Sequence, residues 1–130
     1  MGHIVGGILV RDGRLLLGRR APSKRICPEM WDCLGGHAEE GETQEATLVR
    51  ELQEEIGVTP TAMSLLVTVP LVENGAAVTL HIYRVDDWTG EPRLMNDEHT
   101  ELRWFGVEEA AALPDLAAPD YAGLFRSLEP

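Results

Sequence analysis

Apolar and polar positions along this chain fall into blocks whose spacing predicts strands interrupted by one long helix and followed by two short ones. Val5 to Val10 is apolar and contains β-branched residues, Arg14 to Arg20 follows, and Asp12-Gly13 between them signals a tight hairpin. Pro22 and Pro28 mark Ala21 to Met30 as loop, and Trp31 to Leu34 reads as a short strand running into Gly35-Gly36. Met63 to Val72 and Ala76 to Val85 read as a second pair of strands meeting at Asn74-Gly75. Thr89-Gly90-Glu91-Pro92 is a turn, Arg93 to Thr100 a polar loop and Glu101 to Val107 a strand. Glu108 to Leu113 and Pro119 to Leu128 complete the chain as helices, the second opening with Pro in its first turn. Strands punctuated by helices place the fold in the α/β (α+β) class with a mixed sheet.

The long helix, Thr43 to Ile56, has Thr43 as N-cap, Glu45 in the first turn and Gly57 as the residue that ends it. On a wheel of roughly 100° per residue with Ala46 at zero, Val49, Leu52 and Ile56 lie at roughly 300°, 240° and 280°. Glu51, Glu54 and Glu55 lie at roughly 140°, 80° and 180°. The expectation is a helix that packs one face and turns three carboxylates the other way.

Such a face is either a solvated acidic stripe or a metal site. Like charges at these spacings each destabilise a helix by about 0.2–0.5 kcal/mol, and Arg50 is the cation beside them. If the face borders a cleft of effective dielectric about 20, charges about 5 Å apart repel by about 3 kcal/mol per pair. A divalent cation removes that repulsion, and clustered carboxylates suit hard Mg²⁺ or Mn²⁺ better than zinc.

Composition narrows the partners. The 130 residues suffice for one core, so a single domain over 1–130 is expected. A net charge of −11, with 11 Lys and Arg, argues against a nucleic-acid polymer, which needs a basic face. A small phosphorylated ligand stays admissible because a bound cation reverses the local field. No apolar run is long enough for a bilayer and no leader pattern is visible, so the expectation is a cytoplasmic protein with no membrane partner. Cys27 and Cys33 read as free thiols in a reducing compartment, and His3, His37, His81 and His99 lack zinc-ligand spacing.

Gly36, Glu42, Arg50, Glu51, Leu52, Glu54, Glu55, Gly57 and Val58 occupy every fixed position of the Nudix box: Gly, five residues, Glu, seven residues, Arg-Glu, an aliphatic, any residue, Glu-Glu, any residue, Gly, an aliphatic. On these residues the chain resembles a Nudix hydrolase of the MutT-like kind. The resemblance implies an α/β/α sandwich, a mixed β-sheet between helices, with the box as loop–helix–loop. It implies Mg²⁺-dependent (or Mn²⁺-dependent) hydrolysis of a phosphoanhydride bond in a small nucleotide-like substrate, by a monomer or homodimer. Glu51, Glu54 and Glu55 would hold metal, one of them serving as the base. Arg50 would orient a glutamate, and Gly36 would offer backbone to the metal. A further carboxylate from the loop after the second hairpin is expected to be Glu98, with Asp97 and Glu101 behind it; a solvated loop charge is the alternative.

For the substrate, the resemblance makes Arg20, in the cluster Arg19, Arg20, Lys24 and Arg25, a phosphate contact, against the alternative of a solubilising charge. Trp31 and Trp104 are expected in the core rather than stacked on a base. The chain also departs from its relatives. Pro119-Asp120 and Ala76 stand where the branch acting on oxidised guanine nucleotides has an Asn and an Arg, and Leu34 replaces the usual Pro before the paired glycines. Asp120 can still bond a purine. Pro70 falls short of the ADP-ribose hydrolase proline, and no coenzyme A or NADH motif is present. The leading expectation is a nucleoside triphosphate pyrophosphohydrolase. Hydrolysis of ADP-ribose or another nucleoside-diphosphate derivative comes second. A non-catalytic nucleotide-binding module comes third, disfavoured because every box glutamate is kept.

Overall fold

The computed structural model describes residues 2–128. Strand β1 (Gly2–Arg11) is the organising element. From Gly2 to Leu9 it runs parallel to β6 (Ala76–Thr89), with Gly2 opposite Val78 and Leu9 opposite Val85. Its other edge takes the short antiparallel β4 (Leu34–His37), Ile4 facing His37 and Gly7 facing Leu34. Beyond Leu9 the strand changes partner and pairs with β2 (Arg14–Arg20) through Val10–Leu15 and Arg11–Arg14. β2 in turn carries β3 (Trp31–Asp32) and β7 (His99–Gly106), both antiparallel. β5 (Thr59–Glu73) closes the opposite edge against β6. The sheet is mixed, as expected.

Both hairpin signals hold for a stereochemical reason. Asp12 and Gly13 have φ of 53° and 75°, Asn74 and Gly75 of 53° and 79°, the left-handed pair that a two-residue turn between twisted strands requires. β2 alternates its side chains between two layers. Leu16 joins Val5, Leu9, Leu34 and Val85 under α1 (Gln44–Ile56), while Leu15 and Leu17 join Ile8, Phe105, Tyr121 and Phe125 on the other side. That second layer is roofed by α2 (Val107–Ala111) and α3 (Tyr121–Arg126). Helices therefore cover both faces, the α/β/α sandwich. Thr43 caps α1 by accepting from the Ala46 amide at 3.1 Å, and Gly57 ends it at φ 70°.

Several boundaries move. β5 begins at Thr59 rather than Met63 and runs through Pro60, which an edge strand tolerates because an outward donor is dispensable there. β6 likewise runs on to Thr89. The predicted strand Trp31 to Leu34 is two strands, since the chain leaves β2 after Asp32 and joins β1 at Leu34. Val107 starts α2 instead of ending a strand, and the last helix starts at Tyr121, with Asp120 as its N-cap. Trp31 lies in the core, 3% exposed and edge-on to Phe105, and Trp104 is half-buried and stacked on Trp88. Neither faces an open base site. Among the described residues no helix is long and apolar enough to cross a membrane.

Candidate active site

The helix wheel misplaces two of its three glutamates. Buried positions of α1 are Thr47, Leu48, Glu51, Leu52, Glu55 and Ile56, a stripe from roughly 100° to 280° on the same scale. Glu51 and Glu55 lie inside that stripe, 9% and 1% exposed, while Glu54 alone faces solvent. For Glu51 the close neighbour is Gly36 on β4. A Cβ built there would meet the Glu51 carboxyl carbon and Oε1 at 2.6 Å, so only glycine lets the strand and the acidic flank of the helix come together.

A third carboxylate completes the group. Glu51, Glu55 and Glu98 each offer an oxygen, and these oxygens lie within 4.8 Å of one another. Glu98 is brought there by its backbone: its carbonyl accepts from the Ala21 amide at 3.0 Å, which ties the approach to β7 to the end of β2. Asp97 and Glu101, the second choices, are not in the group. Nor is Glu54, whose nearest partner is Arg50 at 3.4 Å.

Arg50 holds this acidic flank rigid. Its Nε and Nη2 donate to the two oxygens of Glu42 at 2.7 and 2.9 Å, and Nη1 donates to Glu51 at 3.0 Å. Nη2 also reaches the carbonyl of His37 at 3.0 Å, fastening α1 to the end of β4. Bonding to Arg50, with help from the Glu39 amide, holds the Glu42 carboxyl down to about 2. Arg50 thus pairs with Glu51 while Glu42 anchors it.

The electrostatics inside the group are uneven. Burial first, then the charges of Glu51 and Glu98, push Glu55 up to about 9. Its Oε2 is buried and has no hydrogen-bond partner. Glu98 is held below the usual range chiefly by its bond to Lys24, Nζ to Oε1 at 2.7 Å. His99, with Nδ1 3.5 Å from Glu55 Oε1, is pushed down to about 4 by burial and stays neutral. It walls the group and adds no charge at neutral pH.

These residues fit a hard divalent cation. The donors are all carboxylate oxygens, one is orphaned, and the glycine opposite lets the Glu51 carboxylate lie directly against the strand. Glu51, Glu55 and Glu98 would hold such an ion.

The two substrate candidates fare differently. Arg20 stands near the group, but its Nε donates to the Ile26 carbonyl at 2.8 Å and its Nη1 to Asp32 at 3.2 Å. Asp120 is exposed at the N-cap of α3 and makes no capping bond; among the described residues no bond or ion pair links it to the carboxylates. Sequence reading missed Asp32, which accepts from the Tyr121 hydroxyl at 2.6 Å and the Cys33 amide at 2.8 Å. A lone acid in the apolar run Trp31 to Leu34 was the available signal.

The NUDIX domain family model matches residues 2–128. The chain belongs to the Nudix family. As a Nudix hydrolase it resembles the CTP pyrophosphohydrolase of Escherichia coli (strain K12), at 35% identity over 114 residues, 88% of this chain and 82% of that protein. The 8-oxo-dGTP diphosphatase of the same strain is 36% identical over 88 residues, 68% of this chain and 67% of that one. Among solved structures, the MutT NUDIX hydrolase from Burkholderia pseudomallei aligns with a TM-score of 0.84 at 28% identity, covering 98% of this chain and 97% of that one.

Proposed function

We propose that this Nudix hydrolase cleaves a nucleoside triphosphate to the monophosphate and pyrophosphate, with Mg²⁺ (or Mn²⁺) bound by Glu51, Glu55 and Glu98. The observation that carries the reading is the buried, unpartnered Glu55 Oε2 inside a ring of three carboxylates. An oxygen desolvated in that way costs stability unless the protein uses it. A bound divalent ion would neutralise phosphate oxygens, lower the pKa of a coordinated water and stabilise the leaving group.

The rest is the work of this chain's residues. Glu51, fixed through its Oε1 by Arg50, offers its carboxylate to the ring, and one of the box glutamates takes the proton of the attacking water. Glu54, exposed beside the ring, is a further ligand once it leaves its 3.4 Å contact with Arg50. Gly36 lets the Glu51 carboxylate lie against β4 and would offer its backbone to the ion. Arg20, clamped by Asp32, adds positive potential for the phosphate chain, and Asp120 offers a free carboxylate to an amino group of the base.

The names of the relatives, CTP pyrophosphohydrolase and 8-oxo-dGTP diphosphatase, support a triphosphate over ADP-ribose as the first substrate to try. Free thiols at Cys27 and Cys33 agree with work in a reducing cytoplasm. The deciding experiment incubates the protein and Mg²⁺ with ribo- and deoxyribonucleoside triphosphates, 8-oxo-dGTP and ADP-ribose, and identifies products by mass. Pyrophosphate with monophosphate is the expected pair, and ¹⁸O water marks the phosphorus attacked. Saturable binding without product from any of them would instead establish a non-catalytic module.

A further inference from the structure

The basic cluster expected to meet phosphate is largely committed elsewhere. Arg20 is held by Asp32 and the Ile26 carbonyl, and Arg19 by the Glu29 carbonyl at 3.0 Å and Asp115 at 3.5 Å. Lys24 is the member of the cluster that is paired with the acidic group itself. Its Nζ sits 2.7 Å from Glu98 Oε1, on one of the three carboxylates that would hold the ion. Backbone fixes it there. The Ala21 amide donates to the Glu98 carbonyl at 3.0 Å, and the Lys24 amide donates to the Ala21 carbonyl at 3.1 Å. A short turn thus carries the ammonium to the acidic ring, while the flexible stem leaves its tip free to swing.

We propose that Lys24 is an exchangeable counter-ion of this site: it neutralises Glu98 in the ion-free protein and swings onto the substrate's phosphate chain once a divalent cation takes Glu98. The proposal rests on the reading of Glu51, Glu55 and Glu98 as the ion site. No covalent bond changes in the exchange. Glu98 carries a single negative charge, so a divalent ion bound to it weakens its hold on the ammonium, and the site that gains the ion also gains phosphates, the natural partners for the displaced ammonium. Lys24 is therefore a substrate-positioning residue, and it sets a threshold for ion binding in the absence of nucleotide.

The test uses Mn²⁺ alone and then inorganic pyrophosphate as probes, by titration calorimetry on the full chain. Lys24→Met should bind Mn²⁺ more tightly than wild type by about fivefold, the scale of a half-exposed ion pair. With Mn²⁺ saturating, the same variant should bind pyrophosphate more weakly by about tenfold, and Lys24→Arg should restore most of that loss. The two shifts have opposite signs, which loss of loop structure would not produce. Unchanged or weakened Mn²⁺ binding in Lys24→Met overturns the proposal, as does unchanged pyrophosphate binding. Glu98→Gln separates this failure from failure of the ion site. If that variant binds Mn²⁺ as wild type does, the ion site is wrong and the proposal falls with it. If it loses Mn²⁺ while Lys24→Met behaves as wild type, the ion site stands and the proposal alone is overturned.

Discussion

Replacing Glu55 with Gln keeps the shape of the side chain and removes its ionisation, which isolates the energy of one buried acid. In the unfolded chain Glu55 has the ordinary glutamate value of 4.5, and in the ion-free folded protein burial and the charges of Glu51 and Glu98 push it up to about 9. Between those values the folded state holds a proton that the unfolded state has released. Stability from this group is therefore intact below pH 4.5 and is lost as pH rises toward 9. Each pH unit in that window is worth about 1.36 kcal/mol, so from pH 5 to pH 8 the wild type loses about 4 kcal/mol relative to Glu55→Gln. At this chain length the gap in melting temperature should widen by roughly 15 °C. The assay is thermal or urea unfolding of both proteins in a chelating buffer at pH 5, 6.5 and 8. Mg²⁺ should then raise the wild type by about 2.7 kcal/mol at a hundred times its dissociation constant, with proton release, and leave the variant unmoved. A gap that stays constant to within about 1 kcal/mol across the pH range would refute the reasoning.

Other substitutions probe the frame around that acid. Gly36→Ala places a methyl 2.6 Å from the Glu51 carboxyl, so Mn²⁺ affinity read by electron paramagnetic resonance should fall at least about tenfold while the fold survives; unaltered binding would mean the strand does not shape the ring. Arg50→Lys keeps the charge but cannot bond both oxygens of Glu42 together with Glu51 and the His37 carbonyl. A loss of about 1–3 kcal/mol in urea and a fall in kcat should follow, and wild-type values of both would show that charge alone suffices. Tyr121→Phe strips the 2.6 Å donor from half-buried Asp32 and should cost about 1–3 kcal/mol in urea, with Mn²⁺ affinity unchanged as the control.

The box helix, its Thr43 and Gly57 ends and both hairpin turns were legible because each depends on residues close in sequence. The burial of Glu51 and Glu55 was not. A wheel reports periodicity about one axis, and nothing in α1 states that a glycine strand will press on its acidic flank. Leu48, at roughly 200° and fully buried, was the local sign that the apolar stripe reached further toward the glutamates than Val49, Leu52 and Ile56 suggested. Glu98 was chosen over Asp97 and Glu101 through the family resemblance. Its position in space depends on a backbone bond to Ala21, far back along the chain and beyond the reach of pattern reading. Arg20 illustrates the converse: its charge was visible, but its commitment to Asp32 required the fold.

Because Glu98 arrives on the approach to β7 and not on the box helix, the family's signature and the carboxylate group proposed to hold the ion are separable objects. A peptide spanning only Gly35 to Val58 would carry every diagnostic residue and still present two acids where the intact chain gathers three. On the proposed reading, capturing the ion is a property of long-range assembly, and chelation strength doubles as a gauge of whether the box helix and the approach to β7 have come together.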